Sequence, residues 1–502
     1  MDDLMYLKSG TDIRGTAIDK DGKGPDLTDA RLVTITAAFV EFLKNKLGKE
    51  KLVVAVGYDS RVSSEHISRT VTRTLSTLGV RVYDCGLSST PSMFMCVVNF
   101  GVDAAVEITA SHLPMEMNGL KFFTREGGFS GNDIKEILTY AQEHPYVLKD
   151  VKLNIEKFDN MKKYCADLQE MIKKGVNAEN YDRPLENLHI VVDAGNGAGA
   201  FYAENVLMRL GADITGSRYL EPDGTFPNHI PNPENKEAMK SISEAVALSG
   251  ADLGVIFDTD CDRAACVDRN AQEINRNKLV ALASYIALKE NKGGIIVTDS
   301  VTSDGLAEFI EKDLGGVHHR FKRGYKNVID EAIRLEKEEC KNAPLAIETS
   351  GHAAFKENYY LDDGAYLITK IIIELARLNK EGKSIESLIE GLKTPLEERE
   401  VRFTIKLSDF RDYGIKVIED FKKLCEGTEG VTVAPVNHEG VRVNFNNDLG
   451  DGWQLLRMSV HEPLLVLNCE SNKAGGVNQM LTFFKAFIEK YDMLDISRLV
   501  IE

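Results

Sequence analysis

One unit recurs along the chain and limits what it can fold into: a short, mostly apolar run, a polar or glycine-bearing turn, then a helical stretch. KLVVAVGYD (51–59), DAAVEITAS (103–111), LHIVVDAGNG (188–197), DLGVIFDTD (252–260), GIIVTDS (294–300) and PLAIETSGH (344–352) all begin it. Short runs rich in Val and Ile are what strands buried on both faces of a parallel sheet require. The stretches between them supply the cover: in 28–46, Leu32, Ile35, Phe39 and Leu43 fall on one helical face. Such alternation predicts α/β layers. Ligands of these sheets bind beyond the carboxyl ends of the strands, and the unusual polar residues of this chain fall there.

After about residue 400 the texture changes to shorter strands (EVRFTIKL, GVTVAP, GVRVNF, WQLLRMSV, PLLVLNCE) and a final helix near 475–490, which predicts a smaller α+β domain. Charged helical stretches at 143–185 and 377–400 read as connections between domains. A chain of 502 residues is long for one core. The economical division is four domains, at 1–160, 161–290, 291–395 and 396–502. Hydrophobic residues make up 43% and charged residues 28%, the balance of a soluble globular protein. The net charge of −17 argues against non-specific nucleic-acid binding. It leaves room for small anionic substrates, because a few local Arg and Lys make a positive pocket inside an acidic protein. No apolar run approaches membrane-spanning length, and the acidic start MDDLMYLKSG lacks the pattern of a signal peptide. The eight cysteines are scattered without CxxC pairs, as expected of reduced thiols in a cytoplasmic protein.

Asp258-Thr-Asp260-Cys-Asp262-Arg263 places three carboxylates at alternate positions directly after an apolar strand, where they can converge on one hard cation. An ordinary acidic turn seldom alternates so strictly. An EF-hand fails, because Arg263 stands at its glycine position and Arg269 at its last ligand. An aspartyl phosphatase using Asp258 would suit VIFDTD but leaves Asp262 and the Ser111 stretch unexplained. Gly195-Asn-Gly-Ala-Gly-Ala200 formally matches a dinucleotide fingerprint with Glu221 beyond it. Asp193 at the strand end would face the pyrophosphate, so a tight turn packing a helix on a sheet is preferred. Ser111 and His112 are neighbours, and on an extended backbone their side chains diverge, which argues against a protease-type dyad. Glu348-Thr-Ser350-Gly-His352 offers a carboxylate, two hydroxyls and an imidazole for gripping sugar hydroxyls; Arg457 to Pro463 supplies Arg, hydroxyl, His and a turn for clamping phosphate.

Taken in order with SGTDIRG (9–15), VGYDSRVSS (56–64), STP (89–91), TASHLPMEMNGLK (109–121), VVDAGNGAG (191–199) and DGTFPNHIPNPE (223–234), these stretches resemble the α-D-phosphohexomutase family over nearly the whole chain. The resemblance implies four domains around a central cleft, three similar α/β domains with mixed sheets and a different, more mobile fourth. It implies interconversion of hexose 1-phosphates and 6-phosphates, of mannose or glucose, through a phosphoserine and a hexose 1,6-bisphosphate. Carried across by motif, Ser111 is the phosphoserine, and Asp258, Asp260 and Asp262 hold Mg²⁺ together with the Ser111 phosphate. Arg14, Lys121 and Arg263 surround the transferring group, with His112 beside it, and Lys121 and His352 are the candidates for acid–base help. Glu348 and Ser350 read the sugar hydroxyls, Tyr325 lines the same pocket, and Arg457, Ser459 and His461 grip the phosphate that is not transferred. The implied partners are small sugar phosphates, with no nucleic acid and no membrane, for a monomer or homodimer.

Five positions depart from the family's usual pattern: Leu113 stands for Asn, Thr259 for Gly, Ile347 for Gly, and Val460-His461 for a Gly and a hydroxyl residue. Thr259 is tolerable unless that position needs positive φ. Val460 stiffens the phosphate turn, and His461 gives it a pH-dependent donor. Two alternatives follow. One is a phosphoglucosamine mutase; the other is a family member that binds sugar phosphates without turning them over. A magnesium-dependent sugar phosphatase is a third reading, separated by release of free phosphate.

Overall fold

The structure, a computed structural model, describes residues 3–20, 22–148, 152–459 and 462–501. The chain forms two compact units, Met1–Ala287 with Ser350–Ile389, and Leu288–Thr349 with Glu390–Glu502.

In the first unit, the strand Val53–Tyr58 runs parallel to Arg81–Leu87 on one side and Ala104–Ile108 on the other. Every residue of Ala104–Ile108 is buried, as its apolar texture requires. The helix Asp29–Leu47 covers the sheet with Leu32, Ile35, Phe39 and Leu43 all inside. Thr28 caps its start by accepting from the Arg31 amide, and Gly48 ends it at φ 63°. Each such side chain contributes about 1.5–3 kcal/mol of burial.

A second sheet of the same unit pairs Ile190–Asp193 in parallel with Leu253–Phe257, which then turns antiparallel into Ala264–Asp268. The strand Ala104–Ile108 likewise turns back antiparallel into Met117–Thr124. The cause is connection length, since a crossover to a parallel neighbour needs a dozen or more residues. The Asp258–Arg263 and Thr109–Glu116 loops are shorter than that. The sheets are therefore mixed, and both chemistry-bearing loops are hairpin loops.

The stretch 143–185, read from sequence as a connection, contains a packed helix, Asn160–Val176, with Tyr164, Leu168 and Ile172 buried. It lies against the helix Gly364–Lys380, where Arg377 Nε donates to the Gly175 carbonyl at 2.9 Å.

In the second unit, Ile295–Thr298 runs parallel to Val317–Arg320 and to Leu345–Ile347. A separate antiparallel sheet is built on Glu397–Ile405, Val431–Val433, Val441–Phe445, Gly452–Met458 and Leu464–Ser471. Glu397–Ile405 alternates buried and solvated residues toward its end, the mark of a sheet with one wet face. Phe403, Phe421 and Phe484 fill the dry side. The change of texture after residue 400 is this change from two-sided to one-sided burial. Among the described residues no helix is long and apolar enough to cross a membrane.

Candidate active site

Ser111 stands just beyond the carboxyl end of Ala104–Ile108 with φ at 52°. That left-handed conformation disfavours any residue with a Cβ by about 1–2 kcal/mol, so the surroundings have to hold it. Thr109 Oγ1 accepts from the Ser111 amide at 2.8 Å. The rest is done by Arg61, whose guanidinium donates to the carbonyls of Leu113 (2.6 Å), Pro114 (2.8 Å), Met117 (3.0 Å) and Ser111. Arg61 is buried and ion-paired at 3.2 Å with Asp59, itself fully buried. The loop is thus wrapped around one buried cation.

The turn at Ser111 corrects one expectation. Ser111 and His112 do not diverge, because the backbone there is not extended: Ser111 Oγ lies 3.3 Å from His112 Nδ1. A serine-protease dyad still does not result. His112 Nδ1 also accepts from Arg263, and burial with the positive charge of Arg263 pushes its pKa down to about 2. The ring is a neutral acceptor.

The acidic loop meets Ser111 from the second sheet. Ser111 Oγ is 3.0 Å from Asp258 Oδ2 and 2.9 Å from the Arg263 guanidinium. Arg263 is buried; its Nε donates to Asp258 at 3.1 Å and its far nitrogen to Asn232 at 3.3 Å. Burial would lower its pKa, but Asp258 and Asp262 outweigh that and raise it. Asp258, Asp260 and Asp262 are all buried and bring carboxylate oxygens within 4.8 Å of one another. Burial and then Asp262 push Asp258 well above the usual carboxylate range. Burial would raise Asp262 too, yet Lys121 and His352 hold it well below.

Lys121 enters from the strand Met117–Thr124, with Nζ 3.0 Å from Asp260 and 2.5 Å from Asp262. Thr90, first residue of the helix Thr90–Phe100, donates through Oγ1 to Asp260 at 2.5 Å and through its amide to the Asp260 carbonyl at 2.9 Å. The positive end of that helix therefore faces an acid. Thr259 does not have positive φ, so the departure at that position is accommodated. The turn at 194–199 is no nucleotide cradle: Ala198 donates its amide to the Thr259 carbonyl at 2.8 Å and backs the acidic loop.

The donor set fits a small hard cation. All three side chains are carboxylates; Asp260 Oδ1 is buried without a hydrogen-bond donor, and Asp262 Oδ1 faces His352 Nε2 at 3.5 Å. Such an oxygen is expensive to leave bare, and a divalent ion held by the three aspartates would satisfy it.

His352 closes the same site. Its backbone bridges Arg263, its Nε2 lies 3.5 Å from Asp262, and its Nδ1 is 2.9 Å from Ser350 Oγ. Gly351, at φ 96°, allows this: a Cβ there would meet the Ala264 carbonyl at 2.6 Å. Arg14, on the strand Asp12–Thr16, pairs with Asp12 at 2.8 Å and adds to the positive field that lowers His112.

Within the second unit, Glu348 accepts from the Gly324 amide at 2.6 Å, just before Tyr325 opens the helix Tyr325–Glu339. Asp299, which accepts from Thr349, is pushed up to about 6 by burial, with Arg323 opposing and Glu348 assisting. Arg457 is buried 3.7 Å from Glu439, whose other oxygen accepts from Ser300 Oγ at 2.6 Å and the Arg323 amide at 3.0 Å. Ser459 Oγ accepts from the Glu462 amide at 3.3 Å. Val460 and His461 lie outside the described residues.

The first unit thus gathers Arg14, Ser111, His112, Lys121, the three aspartates, Arg263, Ser350 and His352, while Tyr325, Glu348, Arg457 and Ser459 belong to the second. Sequence reasoning gave no role to Arg61, Thr90, Asn232, Arg323 or Glu439. Arg61 and Thr90 were in view within VGYDSRVSS and STP, each three residues beyond the end of a strand.

Family models described as phosphoglucomutase/phosphomannomutase, alpha/beta/alpha domains I, II and III, match residues 7–146, 162–272 and 275–395. A phosphoglucomutase/phosphomannomutase of Thermococcus kodakarensis is 31% identical over 459 residues, 91% of this chain and 94% of the relative. A phosphomannomutase of Vibrio cholerae is 29% identical over 98% of this chain and 100% of its own length. Among solved structures, a phosphoglucomutase/phosphomannomutase family protein of Burkholderia thailandensis superposes with a TM-score of 0.79 at 25% identity, covering 98% of each chain.

Proposed function

The chain belongs to the phosphoglucomutase/phosphomannomutase family, and we propose that it interconverts hexose 1-phosphates and hexose 6-phosphates, of mannose or glucose, by passing a phosphoryl group through Ser111. The observation that carries the proposal is the position of Ser111 Oγ, held on a strained turn 2.9 Å from Arg263 and 3.0 Å from the acidic loop. We take segments 1–160, 161–290, 291–395 and 396–502 as its domains.

In the forward half-reaction a hydroxyl of the sugar phosphate attacks the phosphorus carried on Ser111. The new oxygen–phosphorus bond forms as the Ser111 Oγ–phosphorus bond breaks, giving a hexose 1,6-bisphosphate. The second half-reaction returns the other phosphate to Ser111 after the bisphosphate turns over in the site, and added bisphosphate serves as activator. The attacking hydroxyl must lose a proton and Ser111 must gain one. Lys121 and His352 serve these transfers, Lys121 from between two carboxylates and His352 with its ring fixed by Ser350. Arg263, fully desolvated, offers a preorganised donor to charge that grows on Oγ. Asp258, Asp260 and Asp262, with the Ser111 phosphate, would hold Mg²⁺, which neutralises the phosphoryl oxygens when bound. Glu348 and Ser350 read hydroxyls common to both orientations of the sugar, with Tyr325 beside them. Arg457 and Ser459 take the phosphate that stays.

Two outcomes are expected. With Mg²⁺ and a trace of hexose 1,6-bisphosphate, the protein isomerises mannose 1-phosphate or glucose 1-phosphate without releasing free phosphate. Preference for glucosamine 1-phosphate would move the assignment to phosphoglucosamine mutase, free phosphate would indicate a phosphatase, and binding without turnover would leave a sugar-phosphate-binding protein. Second, Arg61→Lys keeps a charge beside Asp59 but cannot span four carbonyls. It is expected to lower kcat by about 10²-fold through misplacement of Ser111, read by steady-state kinetics, with KM for the hexose phosphate little changed.

A further inference from the structure

The mechanism above makes no use of the segment 223–234, DGTFPNHIPNPE, yet this segment touches both arginines that hold Ser111. At its start, Gly224 lies against the backbone of the Arg61 loop so closely that a Cβ would meet the Val62 amide nitrogen at 2.2 Å. The Phe226 ring lies 5.3 Å from the Arg61 guanidinium, within cation–π range. At its end, Asn232 accepts from Arg263 at 3.3 Å and Glu234 lies 3.9 Å from the same guanidinium. The segment is a strap across the Ser111 site, anchored at either end on an arginine.

Its middle is fixed by one buried side chain. His229 Nε2 faces both oxygens of Asp193, at 3.0 and 3.1 Å, and its Nδ1 faces the Ile230 carbonyl at 3.0 Å. These oxygens only accept, so each ring nitrogen must carry a proton and the ring is an imidazolium. Asp193 ends the strand Ile190–Asp193 and also accepts from the Gly195 amide at 2.9 Å and from Ser241 Oγ at 2.7 Å. It is the charged group that faces the ring; Ser241 of the helix Lys236–Ser249 and the Tyr219 ring, edge-on at 5.4 Å, are neutral. Burial opposes the charge, but the carboxylate and the carbonyl outweigh it and raise the His229 pKa.

We infer that His229 is a positioning residue for phosphoryl transfer: locked to Asp193, it pins the strap that braces Arg61 and Arg263 and so fixes Ser111 Oγ. This rests on Ser111 as the phosphoryl carrier.

The test uses the full-length enzyme, ¹⁵N-labelled at histidine. The His229 resonances, assigned by their loss in His229→Gln, are expected to show both ring nitrogens protonated at pH 7.5. A ring with one protonated nitrogen at that pH would overturn the inference. In His229→Gln, kcat for hexose phosphate isomerisation and the rate of Ser111 phosphorylation by glucose 1,6-bisphosphate are expected to fall together, about 10- to 100-fold. KM is expected to stay within about twofold, since the strap acts on the transferring group and not on the sugar loop. As pH rises through the titration of the wild-type ring, the two kcat values are expected to converge, because a neutral ring keeps a single proton and loses both the ion pair with Asp193 and its second donor. Equal kcat at pH 7, or a ratio that does not move with pH, would count against the inference. Wild type that never phosphorylates Ser111 would instead remove the reading beneath it. If His229→Gln does not fold, Phe226→Leu, which loosens the strap at Arg61 and leaves the imidazolium intact, is expected to lower kcat in the same way; unchanged kcat there would overturn the bracing.

Discussion

Ser111→Ala is expected to lose hexose phosphate isomerisation by about 10⁴-fold or more, the scale of removing a group that forms the covalent intermediate. Steady-state assays with Mg²⁺ and hexose 1,6-bisphosphate measure it, and retention of more than a hundredth of the activity would end the phosphoserine mechanism. The structure separates this loss from a folding defect. Ser111 Oγ hydrogen-bonds within the site, and losing these contacts is expected to lower stability by only about 1–2 kcal/mol. Ser111→Gly gives a sharper contrast. It is equally without a nucleophile, but φ at 52° suits glycine. It is therefore expected to melt no lower than Ser111→Ala while being just as inactive. Two inactive variants with that order of melting temperatures place the defect in the lost hydroxyl and the strain in the turn that presents it.

How far this site could be read in the sequence depended on distance along the chain. Three aspartates at alternate positions after an apolar strand announce a cation loop by themselves, and the family resemblance attached Ser111, Lys121 and Arg263 to it. What stayed hidden was whatever acts across the fold. Arg61 gathers carbonyls some fifty positions further on, which no local pattern records. His229 was visible within a quoted motif but had no chemistry until Asp193 was placed against it. The Ser111–His112 contact was misjudged because an extended backbone was assumed where four carbonyl contacts impose a left-handed turn. Val53–Tyr58, Ala104–Ile108, Ile190–Asp193, Leu253–Phe257, Ile295–Thr298 and Leu345–Ile347 were legible as hydrophobic runs, while Asp12–Thr16, Arg81–Leu87 and Val317–Arg320 were not, and the antiparallel return of Ala264–Asp268 comes from the shortness of the loop before it. The stretch 143–185 reads as helical from its charge pattern, but its packing on Gly364–Lys380 through Tyr164, Leu168 and Ile172 depends on a partner two hundred residues away.

Asp260→Asn is expected to abolish activity by about 10³-fold or more without weakening the metal-free fold, a pairing that few buried substitutions produce. Asp260 is buried in a loop with two other carboxylates, and its Oδ1 has no hydrogen-bond donor. Removing its charge relieves like-charge repulsion and gives up one of the two ion pairs of Lys121, that at 3.0 Å. Lys121 keeps Asp262 at 2.5 Å, and the Thr90 hydroxyl can donate to the asparagine oxygen as it does to the carboxylate. The metal-free variant is therefore expected to melt as high as metal-free wild type or higher. What it loses is the response to Mg²⁺. A ligand at a hundred times its dissociation constant stabilises the folded state by about 2.7 kcal/mol, so Mg²⁺ is expected to raise the melting temperature of wild type and to leave Asp260→Asn nearly unmoved. The activity loss follows from the same charge, because phosphoryl transfer depends on electrostatic stabilisation that a neutral ligand supplies poorly. If Asp260→Asn kept its Mg²⁺-dependent shift together with activity, the triad would be a structural feature and the cation site would lie elsewhere. If instead it unfolded, the carboxylate would be needed to balance Lys121, and the three aspartates would act as a counterion to the lysine before they act as a ligand set.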